Sequence, residues 1–184
     1  MGARMVKPAS IAVIEAATQI SWPDWCAVLQ TAGGAALGHN EIVKAACAHA
    51  PISGWWGQEV AVAYEQHIGR RLPGQMNDGS FSASVSRTIG QPKATAFAAW
   101  RDYAQGLDAV DGEAIAQTPT TSTTPIRHYW RCKFADGSQV SLSVDAKPNG
   151  KSLVVIEHRK LGKQADMARM KQAWAGLLAA CFSA

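Results

Sequence analysis

Residues 126–161, IRHYWRCKFADGSQVSLSVDAKPNGKSLVVIEHRKL, decide the fold. Every second residue falls on one side of an extended chain: His128, Trp130, Cys132 and Phe134 in the first run, then Val140, Leu142 and Val144 in the next. That period of two belongs to half-buried strands. Asp136-Gly137 between the runs is a hairpin signal, and Pro148-Asn149-Gly150-Lys151 turns the chain again before SLVVIEHRKL. Three antiparallel strands are expected, with the first two alternating sets facing each other across the pair.

Working upstream, Phe81, Ala83, Val85 and Ile89 alternate with Ser82, Ser84, Ser86 and Thr88, which predicts another strand. QPKATAFAAWRDY reads as a short helix with Phe97 and Trp100 at i and i+3, and QTPTTSTTP as either a loop or a poor edge strand. Downstream, Met167, Met170, Trp174, Leu177, Leu178 and Cys181 recur at helical spacing, and such a stripe packs on a sheet. The expected architecture is α+β: a curved antiparallel sheet wrapped on one long C-terminal helix, which buries its stripe only by crossing the concave face.

Before Ile68 the pattern is helical instead. A first helix follows Ser10 with Ile11, Ile14 and Ala17 at helical spacing. Ser21 caps a second, with Pro23 in its first turn and Asp24 three residues after the cap; it stops at Gly33-Gly34. Asn40 caps a third that ends before Pro51, and Ser53 caps a fourth that ends at Gly69. The chain therefore divides into a helical domain, residues 1–76, and a sheet-and-helix domain, residues 77–184.

Composition narrows the function classes. An apolar fraction of 47% with 17% charged residues describes a folded chain, not a disordered one. Glu15 and Thr18 interrupt the apolar opening, so neither a signal peptide nor a membrane span is expected, and Val6 breaks a myristoylation signal. Cys26, Cys47, Cys132 and Cys181 lie far apart, without CxxC or a zinc-finger histidine; they read as reduced, mostly buried thiols of a cytoplasmic protein, with no metal and no cofactor. The formal net charge of +4 arises entirely after Asp78. A nucleic-acid partner would need those cations clustered on one face.

DGSFSASVSRTI, ATAFAAW, FADGSQVSLSVDAKPNGKSLVVIEHRKL and ARMKQAWAGLLAAC together resemble the START-like (SRPBCC, helix-grip) superfamily, in its branch related to the activator of heat-shock-protein ATPase. The resemblance covers about residues 79–184. GWWGQEVAVAYEQHIGRRLPGQMNDGSFSASVS is similar to a bacterial helical domain of unknown function that precedes this module. The resemblance implies a hydrophobic cavity between sheet and long helix, used elsewhere for lipids, polyketides and other small hydrophobic molecules, or for partner contacts. The connection from the first strand to RHYW is short, so a smaller or collapsed cavity is expected.

The resemblance and the alternation together turn Trp100, His128, Trp130, Phe134, Val144, Ile156, His158 and Trp174 toward the interior. They either line a pocket for an aromatic or acyl ligand or fill it outright. His128 and His158 are the candidate acid-base groups there, but Glu157 alternates to the opposite face and orients neither. No Ser-His-Asp arrangement, phosphate loop, paired-carboxylate pattern or metal motif is visible, and no catalytic residue is assigned.

Trp55 and Trp56 point about 100° apart on a helix. One packs inward with Val60 or Ala63 while the other covers the junction with the next module, or the pair is an exposed partner-binding surface. The third and fourth helices mimic a helix-turn-helix, yet Gly54-Trp55-Trp56-Gly57 is a poor base-reading end. The expectation is a non-enzymatic protein that binds a small hydrophobic ligand. The alternative is a protein-interaction or co-chaperone-like adaptor with a closed cavity; nucleic-acid binding ranks below both.

Overall fold

In the computed structural model, which describes residues 9–183, the alternation of residues 126–161 becomes three strands of one sheet. They are β5 (Arg127–Lys133), β6 (Gln139–Ala146) and β7 (Ser152–Leu161), preceded by β1 (Phe81–Ile89), β2 (Ala109–Val110), β3 (Glu113–Ala114) and β4 (Thr120–Thr123). The five-stranded sheet is antiparallel in the order β1-β7-β6-β5-β4, and β2 and β3 form a separate small hairpin. Registers pair His128 with Val144, Trp130 with Leu142 and Cys132 with Val140, so one face of β5 and β6 is continuously apolar.

Turn chemistry sets those registers. Asn149 and Gly150 both lie at positive φ, the backbone that a tight hairpin of the right twist requires. At the other turn Gly137 has φ 85, and the Asp136 carboxylate accepts from the Ser138 N–H at 2.8 Å. The Thr-rich connection forms edge strand β4, exposed at all four residues. Pro119 and Pro125 flank it, and such short, polar edges resist further pairing.

Two helices cover the apolar face. The C-terminal α6 (Gln164–Cys181) buries Met170, Trp174 and Leu178, with Met167, Leu177 and Cys181 partly buried beside them. The other helix, α5 (Lys93–Ala104), buries Ala96, Phe97, Trp100 and Ala104. Together they give the α+β helix-grip arrangement, a sheet with a long C-terminal helix laid across it.

Chain contacts divide the protein at Gly74 and Gln75. The preceding unit holds α1 (Ile11–Thr18), α2 (Trp22–Thr31), a 3-10 turn (Gly34–Ala36), α3 (His39–His49) and α4 (Gly54–His67) around Ile14, Trp25, Leu29, Ile42, Val60 and Tyr64. The reading of the opening segment falls partly on residues 1–8, outside the described residues. In α1 the buried positions are Ile14 and Thr18, while Ile11 is exposed.

Ser21 and Ser53 cap α2 and α4, accepting from the N–H groups of Asp24 and Trp56. Asn40, by contrast, lies inside α3. The cap is Gly38, whose N–H donates to the Glu41 carboxylate at 2.7 Å. An acid three residues into the helix outcompetes the amide because it satisfies a backbone donor and favours the positive helix end. Where α4 passes α3, a Cβ on Gly57 would stand 2.6 Å from the Cys47 sulfur, so only glycine permits that approach.

Candidate ligand-binding site

Seven of the eight interior candidates, Trp100, Trp130, Phe134, Val144, Ile156, His158 and Trp174, are buried on the covered face; His128 is half-buried near its end. The aromatic rings pack on one another. Trp100 meets Trp130 edge-on at 5.7 Å and lies tilted against Trp174 at 6.4 Å, while Phe134 stacks on His158 at 5.1 Å. Edge-to-face contacts of this kind add about 1 kcal/mol each beyond burial. The tryptophans therefore fill much of the interior themselves.

His158 is wired on both ring nitrogens. The Trp174 indole N–H donates to Nδ1 at 3.1 Å, and Nε2 lies 2.8 Å from the Ser138 hydroxyl. An indole nitrogen only donates, so Nδ1 is the acceptor, and the neutral ring carries its proton on Nε2 and gives it to Ser138. Burial pushes the His158 pKa down to about 4. Ser138 and His158 resemble a nucleophile-base pair by distance, but in this tautomer Nε2 cannot accept the hydroxyl proton. The Ser138 contact was not foreseen from the sequence, because the serine lies in the Asp-Gly turn and reaches β7 only through the β6–β7 pairing. Glu157 projects to the other face and binds Arg159.

His128 differs. Its Nδ1 is buried without a hydrogen-bond partner, its ring meets Phe97 edge-on at 5.1 Å, and burial, with the Lys93 charge second, lowers its pKa. Trp100 likewise buries an indole N–H with no acceptor. Gln91 Oε1 and the Ser152 hydroxyl are also buried and unpartnered. Gln91 lies two residues before α5, Trp100 belongs to it, and His128 and Ser152 stand on the face it covers. Each such atom costs about 1–3 kcal/mol when unanswered.

In the helical unit, Trp56 is half-buried against the core and stacks edge-on with Trp55 at 4.4 Å; Trp55 is 47% exposed. Arg70 and Arg71 bind the buried Glu65 carboxylate at 2.8 and 3.0 Å, and His39 reaches it at 3.1 Å. The Arg70 N–H closes the helix end on the Glu65 carbonyl beyond Gly69, which has φ 72. Both guanidinium groups are committed to that carboxylate. An open depression of about 430 Å3 is lined by Ala27, Val28, Thr31, Ala32 and His49. Cys132 is buried and the other three thiols are half-buried; all are free. Among the described residues no helix is long and apolar enough to cross a membrane, and no cluster of three metal-ligating side chains forms.

No family model and no curated protein matches the chain. Among solved structures it is similar to CalU16 from Micromonospora echinospora, with 14% identity and a TM-score of 0.42 over 59% of this chain and 76% of that one. DynU16, encoded in the dynemicin biosynthetic locus, gives 13% and 0.40 over 55% of this chain and 46% of its own. Ara h 8.0201 gives 13% and 0.37 over 57% and 97% respectively.

Proposed function

We propose that the sheet unit is a non-catalytic binding module that takes a small hydrophobic molecule between α5 and the sheet. The observation that carries this reading is the Trp100 indole N–H, fully buried with no acceptor, beside an aromatic wall of Trp130 and Trp174. A ligand bearing one hydrogen-bond acceptor would answer that donor while burying its apolar body on the rings. Because Trp100 packs directly on Trp130, admission requires α5 to ride away from β5, so the indole environment changes on binding. The tautomer of His158 supports a module without acid-base chemistry at Ser138.

Native mass spectrometry of the protein purified from its own host, followed by organic extraction, tests the reading. A stoichiometric hydrophobic molecule is expected, and Trp100→Phe should lose it while remaining folded. Retention by that variant would show that the indole N–H does not anchor the ligand. The adaptor reading keeps one specific support, the half-exposed Trp55 resting on Trp56. A protein recovered empty from its host, yet able to capture one partner in a Trp55-dependent manner, would favour it.

A further inference from the structure

The unanswered polar atoms around α5 are not spread evenly. Three of them, on Gln91, His128 and Ser152, belong to one end of the sheet, where β1 and β6 finish and β5 and β7 begin. Registers fix this: Ile89 pairs with Ser152, Ala146 with Ser152, and Val144 with His128. From Ile89 the chain passes through Gly90, Gln91 and Pro92 straight into the first turn of α5. That turn has no side-chain cap, since Pro92 occupies the N-cap position and supplies no acceptor. The free N–H groups of the first turn carry the positive end of the helix dipole.

Ser152 brings an unpartnered hydroxyl to the same end of the sheet. The residue is fully buried and stands on the strand face that α5 and α6 cover. The formal charge at this end is also one-sided. Arg87, Lys93, Lys147 and Lys151 lie in or beside its strand ends and loops, and Asp145 is already held by Arg127 at 2.5 and 2.7 Å. Arg87 lies on the covered face, paired with Val154, and its guanidinium reaches the Leu178 carbonyl near the end of α6 at 3.5 Å. That places a cation against the negative helix terminus, which would otherwise oppose an anion here.

We infer that this end of the sheet unit receives the carboxylate of a hydrophobic acid, held by the first turn of α5 and the Ser152 hydroxyl, with Lys93 supplying charge. The apolar body then lies along Phe97 toward the Trp100 and Trp130 rings, and the Trp100 indole N–H, about two turns further along α5, is left for a second acceptor on the ligand. This inference rests on the proposed ligand-binding role and specifies the chemistry of its head group. His128, whose buried Nδ1 has no partner, stands beside this turn and offers a ring N–H to the second carboxylate oxygen.

Two acid and ester pairs test it on the full chain: dodecanoate with methyl dodecanoate, and 2-naphthoate with methyl 2-naphthoate, each titrated by tryptophan fluorescence and calorimetry. At least one acid should bind about tenfold more tightly than its ester, the scale of one charge-assisted contact. Lys93→Gln and Ser152→Ala should each reduce that preference and leave the ester affinity alone. Ser152→Ala removes only an unpartnered hydroxyl, so the variant keeps its fold. Equal binding of acid and ester, or a preference that survives both substitutions, would overturn the head-group assignment and leave the binding role standing. Binding of none of the four compounds would overturn the binding role itself.

Discussion

Two polar clusters in this protein treat burial in opposite ways. Around Glu65 in the helical unit the carboxylate has Arg70 and Arg71 on it, and His39 bridges from Glu65 to Gln58 at 2.7 Å. Around α5 in the sheet unit, Gln91, Trp100, His128 and Ser152 bury polar atoms with no partner. A satisfied cluster ties helices together and has nothing left to offer a ligand. An unsatisfied one costs stability in the free protein and has donors in reserve. The contrast is one of clustering, since among the described residues the helical unit leaves a single buried side-chain donor, the Trp22 indole N–H, without an acceptor while four residues with unpartnered atoms gather around α5.

Breaking the satisfied cluster should have the largest effect. Glu65→Ala strands two cations around a buried space, and unfolding in urea should show a loss of about 3–5 kcal/mol. A change below about 1 kcal/mol would mean that solvent already screens the pair through the partly exposed Arg70. Next comes the wired histidine. His158 has a lowered pKa in the folded state, so the unfolded chain binds the proton first as pH falls. Its stabilisation is fully present above about pH 6.5, is lost as pH drops toward 4, and changes no further below that. Unfolding free energies across this window should fall by about 1.4 kcal/mol per pH unit from this group, and His158→Gln should flatten the slope.

The unsatisfied cluster should respond weakly in stability and strongly in binding. Trp100→Phe removes an orphan donor along with part of a packed ring, and the two effects oppose each other. Its unfolding free energy in urea should change by no more than about 1 kcal/mol, well short of a buried Trp→Ala truncation at about 3–5 kcal/mol. The smallest effect belongs to Trp55→Ala, within about 0.5 kcal/mol because the side chain is half exposed. A larger loss would show that Trp55 supports the core through Trp56.

Much of the fold was legible because period and turn chemistry are local. The alternation in RHYWRCKF and QVSLSVDA named the covered face, and Asn149-Gly150 named a turn that few other pairs could make. Ser21 and Ser53 were readable as caps for the same reason. Asn40 misled because the competing acid at Glu41 acts from inside the helix, and a cap inventory that looks only for Ser, Thr, Asp and Asn passes over Gly38. The helical spacing of Ile11, Ile14 and Ala17 marked α1 without settling its facing, and of the three only Ile14 is buried, since a helix this short fixes its facing through neighbours more than through its own pattern. QTPTTSTTP carried no apolar alternation, so whether it paired depended on β5 offering an edge.

The candidate site was legible only in its lining. Trp100, Trp130, Phe134, His158 and Trp174 could be assigned to the interior from spacing and resemblance, because facing is a property of a single element. Which of them would be satisfied was not accessible that way. His128 and His158 sit on the same face of one sheet, and nothing in their local sequences distinguishes them. Ser138 and Trp174 reach one and not the other because a hydrogen bond joins elements distant in the chain, and only the packed sheet and helices bring those atoms to 2.8 and 3.1 Å. Sequence by itself therefore determined the strands, helices and buried faces; the tertiary structure alone decided which buried polar atoms were answered and which were left without a partner.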